Sequence, residues 1–273
     1  RNGAEFADAE HLFSGDLDLF GAGSLFERIS VARTSMGERK LGQWLLEPAA
    51  VDAVRARQEA VEELAPRLAV REAMALAGEE ARAELKAERL RQWGAGPRVE
   101  FFAGAAWVLP SLAGLMLAGL IAWMFGVTAA LAPVILLALI LNYALRHPVD
   151  RVMAALDAPA LDLRVLAHLV ERVRDEKFES AKLRGIAERL PPAAVIRSLE
   201  TQIAAFDQSR NQLFLPLAMV LLWRPQWARA IEQWRQQHGA AIGDWLDAVG
   251  EFEALSSLAS LRYELAEASC YPE

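Results

Sequence analysis

From Phe101 to Leu145 the chain reads FFAGAAWVLPSLAGLMLAGLIAWMFGVTAALAPVILLALILNYAL, with no Asp, Glu, Lys, Arg or His. No other stretch restricts the possible folds so strongly. The run is about twice the roughly 20 residues that one membrane-spanning helix needs, which makes it a hairpin of two spans. The expected break is Phe125-Gly126-Val127-Thr128. It leaves roughly 25 residues before it and about 17 after it, or ~37 Å and ~26 Å of helix at about 1.5 Å per residue. A buried helical pair inside a soluble core is the competing reading. Such helices keep a polar stripe, whereas only Ser111, Thr128 and Asn142 carry strongly polar side chains here. Length and the absence of charge therefore favour membrane insertion, with Trp107, Trp123 and Tyr143 as interfacial anchors.

Both ends of a hairpin face one side of the membrane. Arg82, Lys86, Arg89, Arg91 and Arg98 precede the run, and Arg146 and Arg151 follow it. An excess of Arg and Lys beside the spans assigns that side to the cytoplasm, where Arg98 and Arg146 can meet lipid headgroups. A grip on DNA phosphates is the alternative use of these arginines, but Glu79, Glu80, Glu84 and Glu88 dilute any basic face.

The flanking segments read as helices throughout, which gives an all-α fold class: a long-helix core and lever domain interrupted by an apolar two-helix hairpin. The expected division is 1–100 for the opening core helices, 101–145 for the hairpin and 146–273 for the returning helices. Two short opening helices start with capping boxes, Ser24 with Glu27 and Ser35 with Glu38. Pro48 closes the second, whose Leu41, Trp44 and Leu45 share a core-facing side. Val54, Val61 and Leu68 then recur seven apart, with Pro66 and Gly78 as expected bends or joints, and the charges around Glu84, Lys86, Glu88 and Arg89 describe a solvated face. After the hairpin, Pro148 sits in the first turn of a new helix, and Leu161, Val165, Leu169 and Val173 form an apolar stripe. Pro191-Pro192 punctuates before Val195, Leu199, Ile203 and Phe206. The apolar run from Leu213 to Trp223 is too short to span a bilayer and is expected to be a buried core helix. Trp227, Ile231 and Trp234 line a further helix, and Ile242 to Ala266 forms the last long one.

Composition narrows the function classes. A formal charge of -7 and a pI near 5.3 argue against a free-standing nucleic-acid binder, which needs a surplus of cations on one face. The single cysteine, Cys270, has no intramolecular disulfide partner, so a reducing cytosolic face is expected. The stretch from Arg1 to Phe20 lacks the apolar core of a signal peptide. Arg1 in place of an initiator Met, and an ending at Tyr271-Pro272-Glu273, lead to the expectation that these residues are a piece of a longer protein.

Two blocks on either side of the hairpin resemble a known family. DLDLFGAGSLFERISVARTSMGERKLGQWLLEPA (Asp16 to Ala49) followed by VRARQEAVEELA (Val54 to Ala65) resembles the start of the core domain in MutS-type mismatch-repair ATPases. EFEALSSLASLRYELAEASCYPE (Glu251 to Glu273) resembles the lever helix that leads into the ATPase domain of that family. RNQLFLPLAMVLLW and WRQQHGAAIGDWLDAVGEFEAL are similar to a MutS-related bacterial branch with membrane spans. The residues that carry the likeness are Asp16, Asp18, Phe20, Gly21, Ser24, Leu25, Phe26, Thr34, Gly37, Trp44, Leu45, Pro48, Arg57 and Gln58. Asn211, Trp234, Trp245, Glu253, Leu255, Ser257 and Leu258 extend it.

The resemblance implies a helical transmitter between a nucleic-acid or partner-binding region and a nucleotide-driven dimer of ATPase domains. It places the protein at the bacterial inner membrane with its helices on the cytoplasmic side, a soluble cytoplasmic chain being the alternative. Lipid is then the immediate partner, and DNA and a second copy are partners of the whole protein. The chain departs from the family in lacking a G-x-x-x-x-G-K-[ST] phosphate loop, and Phe178-Glu179-Ser180 has neither the wording nor the position of the mismatch-reading Phe-x-Glu. ATP and Mg are thus expected only in a domain outside these residues, and this stretch is not expected to be an enzyme. An acidic membrane-anchored scaffold that binds a protein partner is the alternative function.

Other chemistry finds little support in the residues. Asp16 and Asp18 form an Asp-x-Asp, but no further oxygen ligands converge on them in the sequence. His11, His147, His168 and His238 lack metal-ligand spacing, and no Gly-x-Ser-x-Gly elbow occurs.

Overall fold

The computed structural model describes residues 2–8, 10–127, 131–156, 159–209, 211–268 and 270–271, with the side chains of all of these except 80–84, 131 and 267. In chain order its helices are α1 (Leu25–Ile29), α2 (Ser35–Leu46), α3 (Val51–Leu64), α4 (Leu68–Glu84), α5 (Ala87–Ala95), α6 (Ala105–Met124) and α7 (Leu131–Ala144). They continue as α8 (Arg146–Leu156), α9 (Pro159–Arg174), α10 (Ala181–Arg189), α11 (Ala193–Gln208), α12 (Leu215–Val220), α13 (Trp223–His238) and α14 (Ile242–Leu265). Among the described residues there is no strand, and the fold is all-α.

The chain forms two compact units, and their boundaries differ from a linear division at 101 and 145. One unit holds residues 1–90, 161–196 and 241–273; the other holds 91–160 and 197–240. The helices that follow the apolar run are therefore shared between the two. Periodicity reports which side of a helix is apolar but not which neighbour covers it.

In the first unit α14 is the central strut. It packs against α1, α2, α3 and α10, and from Trp245 to Ser257 nearly every side chain is buried. A helix covered on all sides has no solvent face to signal its position, so its sequence shows little amphipathic pattern. Beside it, Phe26, Ile29, Leu41 and Ala254 form a core extended by Phe6, Phe20, Trp44, Leu45, Leu258 and Leu261. Phe6, Phe20 and Phe26 meet with ring centroids 5.5 to 5.9 Å apart, in the edge-on and tilted geometries that aromatic quadrupoles favour.

Two expectations about this unit require correction. Gly78 is no joint: α4 runs through it unbroken, and a Cβ there would come within 2.8 Å of the Arg33 Cβ. Glycine serves close packing at that position. Pro66 does separate α3 from α4. The apolar stripe of α9 is centred on Leu166, Leu169, Val170 and Val173, while Leu161 lies exposed at the start of that helix.

In the second unit α6 and α7 pack side by side, linked through Gly126 at φ 93°, a left-handed backbone that suits glycine. The expected break is found there; Thr128 lies outside the described residues. Leu109 and Met116 of α6 meet Ala138 of α7, with Leu112, Val134 and Leu141 around them. Helix α6 is long and apolar enough to cross a membrane, with 20 residues, a mean hydropathy of 1.9 and only 17% of its best window buried. Helix α7 has 14 residues and reaches that length only together with α8, across a bend of 51°.

The segment from Leu213 to Trp223 is not a buried core helix. Only Ala218 is buried within α12, and Leu213, Leu217 and Met219 are exposed at 92%, 38% and 44%. An eleven-residue apolar run indicates burial in some apolar phase; it does not specify that the phase is protein.

Candidate functional site

Four residues of the first unit that carry the family resemblance, Thr34, Gly37, Glu253 and Ser257, meet in a buried polar joint between the loop before α2 and the middle of α14. Thr34 is the N-cap of α2, its hydroxyl accepting from the Gly37 amide at 3.3 Å. The cap stands one residue before the expected Ser35, which is the first helical residue. A tertiary partner accounts for the shift, because the Thr34 hydroxyl also donates to the Glu253 carboxylate. Local sequence made Ser35 and Thr34 nearly equivalent caps, and Glu253 selects Thr34. The first capping box does form at Ser24, which accepts from the Glu27 amide, although the Glu27 carboxylate reaches back to the Gly23 amide.

Glu253 receives more than the hydroxyl. The Arg33 and Thr34 amides donate to its Oε1 at 3.1 and 3.2 Å, and the Val31 amide donates to Ser257 Oγ at 3.2 Å, one turn further along α14. An extended loop is thereby stitched to the strut through its own backbone donors. Two glycines allow the approach. A Cβ on Gly37 would stand 2.6 Å from the Glu253 Cβ, and one on Gly78 would stand 3.1 Å from its Oε1.

Among the described residues no cationic group hydrogen-bonds to Glu253, which is 3% exposed. Burial pushes it up to about 7, assisted by nearby Glu38 and opposed by the hydrogen bonds from Thr34 and Arg33. Two residues earlier, Glu251 behaves in the opposite way. Burial disfavours its charge as well, but Lys182 at 2.6 Å and Arg189 at 2.8 Å outweigh burial and hold its carboxyl below the ordinary range. Glu251 ties α14 to α10 as a permanent anion. Glu253 ties it to α2 as a group that can gain or lose a proton near neutrality.

The remaining signature residues of the first unit are spread over a cleft, the core and exposed turns. Trp44, Leu45, Arg57, Gln58 and Leu258 line an apolar cleft of ≈ 350 Å³, in which the Arg57 guanidinium lies 4.1 Å from the centre of the Trp44 ring. Phe26, Ser24, Trp245 and Leu255 are buried, Phe20 is half-buried, and Leu25 and Pro48 are exposed. Asp16 and Asp18 are exposed in turns, with Asp18 at φ 46° and its carbonyl accepting from Leu25; Gly21 has φ 110°. Among the described residues no three His, Cys, Asp or Glu side chains form a group able to hold a metal ion. The Arg89 region is not simply a solvated face: its guanidinium donates twice to the fully buried Asp162, at 2.7 and 2.8 Å, and the Lys86 amide donates to the same carboxylate.

In the second unit, a clamp stands where the chain turns toward α6. Arg235 of α13 donates to the carbonyls of Trp93, Gly96 and Pro97 at 3.0, 3.0 and 2.6 Å, and to both oxygens of Glu232. Glu232 in turn accepts from the Val99 amide at 3.0 Å. Burial works against its charge, but Arg235 and Gln236 prevail, and its carboxyl lies below the ordinary range. Trp234, a signature residue, is buried and stacks on Trp93 with ring centroids 6.2 Å apart. The expected membrane anchors are on the surface: Trp107 is 79% exposed, Trp123 and Tyr143 are also exposed, and the Arg146 guanidinium sits 4.1 Å over the Tyr143 ring. Arg98 and Asn211 are exposed as well.

Glu232 and Arg235 were not singled out by the sequence reading. Their i, i+3 spacing was a visible signal for an ion pair, but nothing local indicated three backbone carbonyls from the Trp93–Pro97 turn. No family model matches this chain, and neither the curated proteins nor the solved structures contain a match.

Proposed function

We propose that this chain is the core and lever module of a membrane-attached MutS-like protein, coupling an ATPase domain that follows it in the whole protein to the engagement of nucleic acid or a partner. The single observation that supports this reading most is the joint at Glu253. Thr34 and Glu253 come from the two separate blocks that resemble the family, 219 positions apart, and they hydrogen-bond directly. A transmitter needs such a connection, because motion of α14 reaches the opening helices only through groups that bind both. The exposed apolar surface of α6 and α7 supports attachment to a bilayer, and the arginines beside them support a cytoplasmic side for the helices.

The whole protein, including the sequence downstream of these residues, provides the test. Binding to duplex and branched DNA is measured from low to high salt, with and without ATP. Binding that weakens steeply with salt and responds to nucleotide supports the transmitter, since phosphate contacts release counterions. No binding at low salt favours the membrane-anchored scaffold, a reading that the formal charge of -7 supports. A downstream sequence without a phosphate loop removes the motor.

A further inference from the structure

We infer that the segment 213–222, with α12 at its centre, dips into the lipid of the cytoplasmic leaflet as a third membrane element beside the hairpin. The inference rests on the reading of α6 and α7 as membrane-inserted. It does not repeat that reading, because α12 has six residues and cannot span a bilayer.

Three observations support it. The first is continuity. Helix α12 packs against α7, and Leu222 and Val220 join the cluster that includes Leu141 and Leu145 at the end of α7. The side chains of Leu213, Leu217 and Met219 point away from that cluster into the surroundings, as do Leu136, Leu137 and Ile140 of α7. Three large apolar side chains exposed within seven residues cost free energy against water, and the same face immersed in acyl chains has no such cost.

The second is the treatment of the backbone. A hydrocarbon phase offers no partner to free amides and carbonyls, so a segment inside it must satisfy its own. The amides of Phe214 and Leu215 donate to the Asn211 carbonyl, the Leu213 amide donates to Asn211 Oδ1, and Pro216 has no amide to satisfy. At the other end side-chain amides add to the backbone donors, the Met219 carbonyl also accepting from the Leu222 amide at 3.3 Å. Asn142 Nδ2, the polar group of α7, donates to the Met219 carbonyl at 2.7 Å and to the Ala138 carbonyl at 2.9 Å. Gln226 Nε2 donates to the Leu221 carbonyl at 2.7 Å. The hydrogen bonding of this end is thus completed from within the protein, as immersion in a hydrocarbon phase requires.

The third is that the segment enters and leaves at one level. The Phe214 and Trp223 rings meet edge to face with centroids 5.2 Å apart, closing the loop at its base. Beyond them lie Asn211 and Gln212 on one side and the exposed Arg224 on the other. Trp223 and Arg224 are residues of the kind that anchor at a headgroup boundary. A dip of about 5–10 Å into the headgroup and acyl boundary is the depth such elements adopt.

The test uses the whole 273-residue chain, with Cys270→Ser removing its one thiol, reconstituted in vesicles of phosphatidylcholine and phosphatidylglycerol. Single cysteines at Leu213→Cys, Leu217→Cys and Met219→Cys carry a nitroxide, and its collisions with oxygen and with a water-soluble nickel chelate are compared. Leu115→Cys on α6 reports the hairpin and Asp175→Cys reports water. The expected result is exposure to oxygen and protection from nickel at 213, 217 and 219, at a shallower depth than at 115. Nickel access at 213, 217 and 219 equal to that at 175, with 115 still in lipid, overturns the inference and leaves the hairpin reading intact. Nickel access at all four apolar positions overturns both.

Discussion

Glu253 and Glu232 are shielded from solvent to nearly the same degree, 3% and 2% exposed, in two different units of one chain, but Glu253 is set deeper among protein atoms, and the two hold protons in opposite ways. Glu253 is surrounded by a hydroxyl and two backbone amides, and burial raises its carboxyl to about 7. Glu232 is gripped by the Arg235 guanidinium, which overcomes burial and keeps it ionised. The depth at which each carboxyl is set among protein atoms and the charge of its partner together decide the protonation state, Glu253 being the deeper of the two and lacking a cation among its hydrogen-bond donors. A neutral partner leaves a joint that can respond to protons. A cationic partner makes a clamp.

The comparison breaks most readily on the clamp side. Arg235→Met leaves Glu232 buried without its cation and releases three backbone carbonyls, so we expect the largest loss, about 3–5 kcal/mol of unfolding free energy. Denaturant unfolding of the purified chain in detergent measures it. A loss below about 1 kcal/mol would show that Glu232 protonates without consequence and that the contrast with Glu253 is unimportant.

Glu253→Gln sharpens the other side. The folded carboxyl titrates near 7 and the unfolded one near 4.5, so the native state binds the extra proton between those values. The sign follows from linkage: the stability contribution is fully present below about 4.5 and is lost as pH rises through about 7, by up to about 3 kcal/mol. Glutamine cannot ionise, and the variant should not show that decline. Unfolding midpoints at pH 5 and pH 8 for both proteins measure the difference. Glu232 contributes the reverse, stability that is present above the ordinary carboxylate value and lost on acidification below it.

Smaller effects test the packing and an ion pair whose cations are partly solvated. Gly37→Ala forces a methyl group against Glu253 and should cost about 1–3 kcal/mol, as overpacking does. Its effect should be non-additive with Glu253→Ala, which vacates the space, in a double-mutant cycle. Lys182→Met removes one of two cations from Glu251, leaves Arg189 in place, and should change stability by less than about 1 kcal/mol, since the lysine is partly solvated. A larger loss would place Glu251 among the clamps beside Glu232.

Much of the architecture was legible before any coordinates. The all-α class, the stops of α2 before Pro48 and of α10 before Pro191, and the break between α6 and α7 follow from prolines, glycine and helical periodicity, all properties of neighbouring residues. The site was legible in part. Thr34, Gly37, Glu253 and Ser257 stood in segments marked by their resemblance, but nothing in those segments paired them. The cap at Ser35 and the joint at Gly78 were misplaced for one reason: each local reading was sound, and a distant side chain overrode it.

By itself the sequence determined that this chain would be helical and would expose or bury one long uncharged run, because hydrophobic period and run length act within a few turns of one helix. Tertiary structure alone decided which glutamate would stay charged, since Arg235 joins its own helix to a turn 139 residues away whereas Glu253 accepts from the neutral amide of a residue 219 positions away. It also decided that the second apolar run would lie open beside α7 rather than inside a core. Long-range pairing depends on how helices are brought together, and no local pattern encodes that.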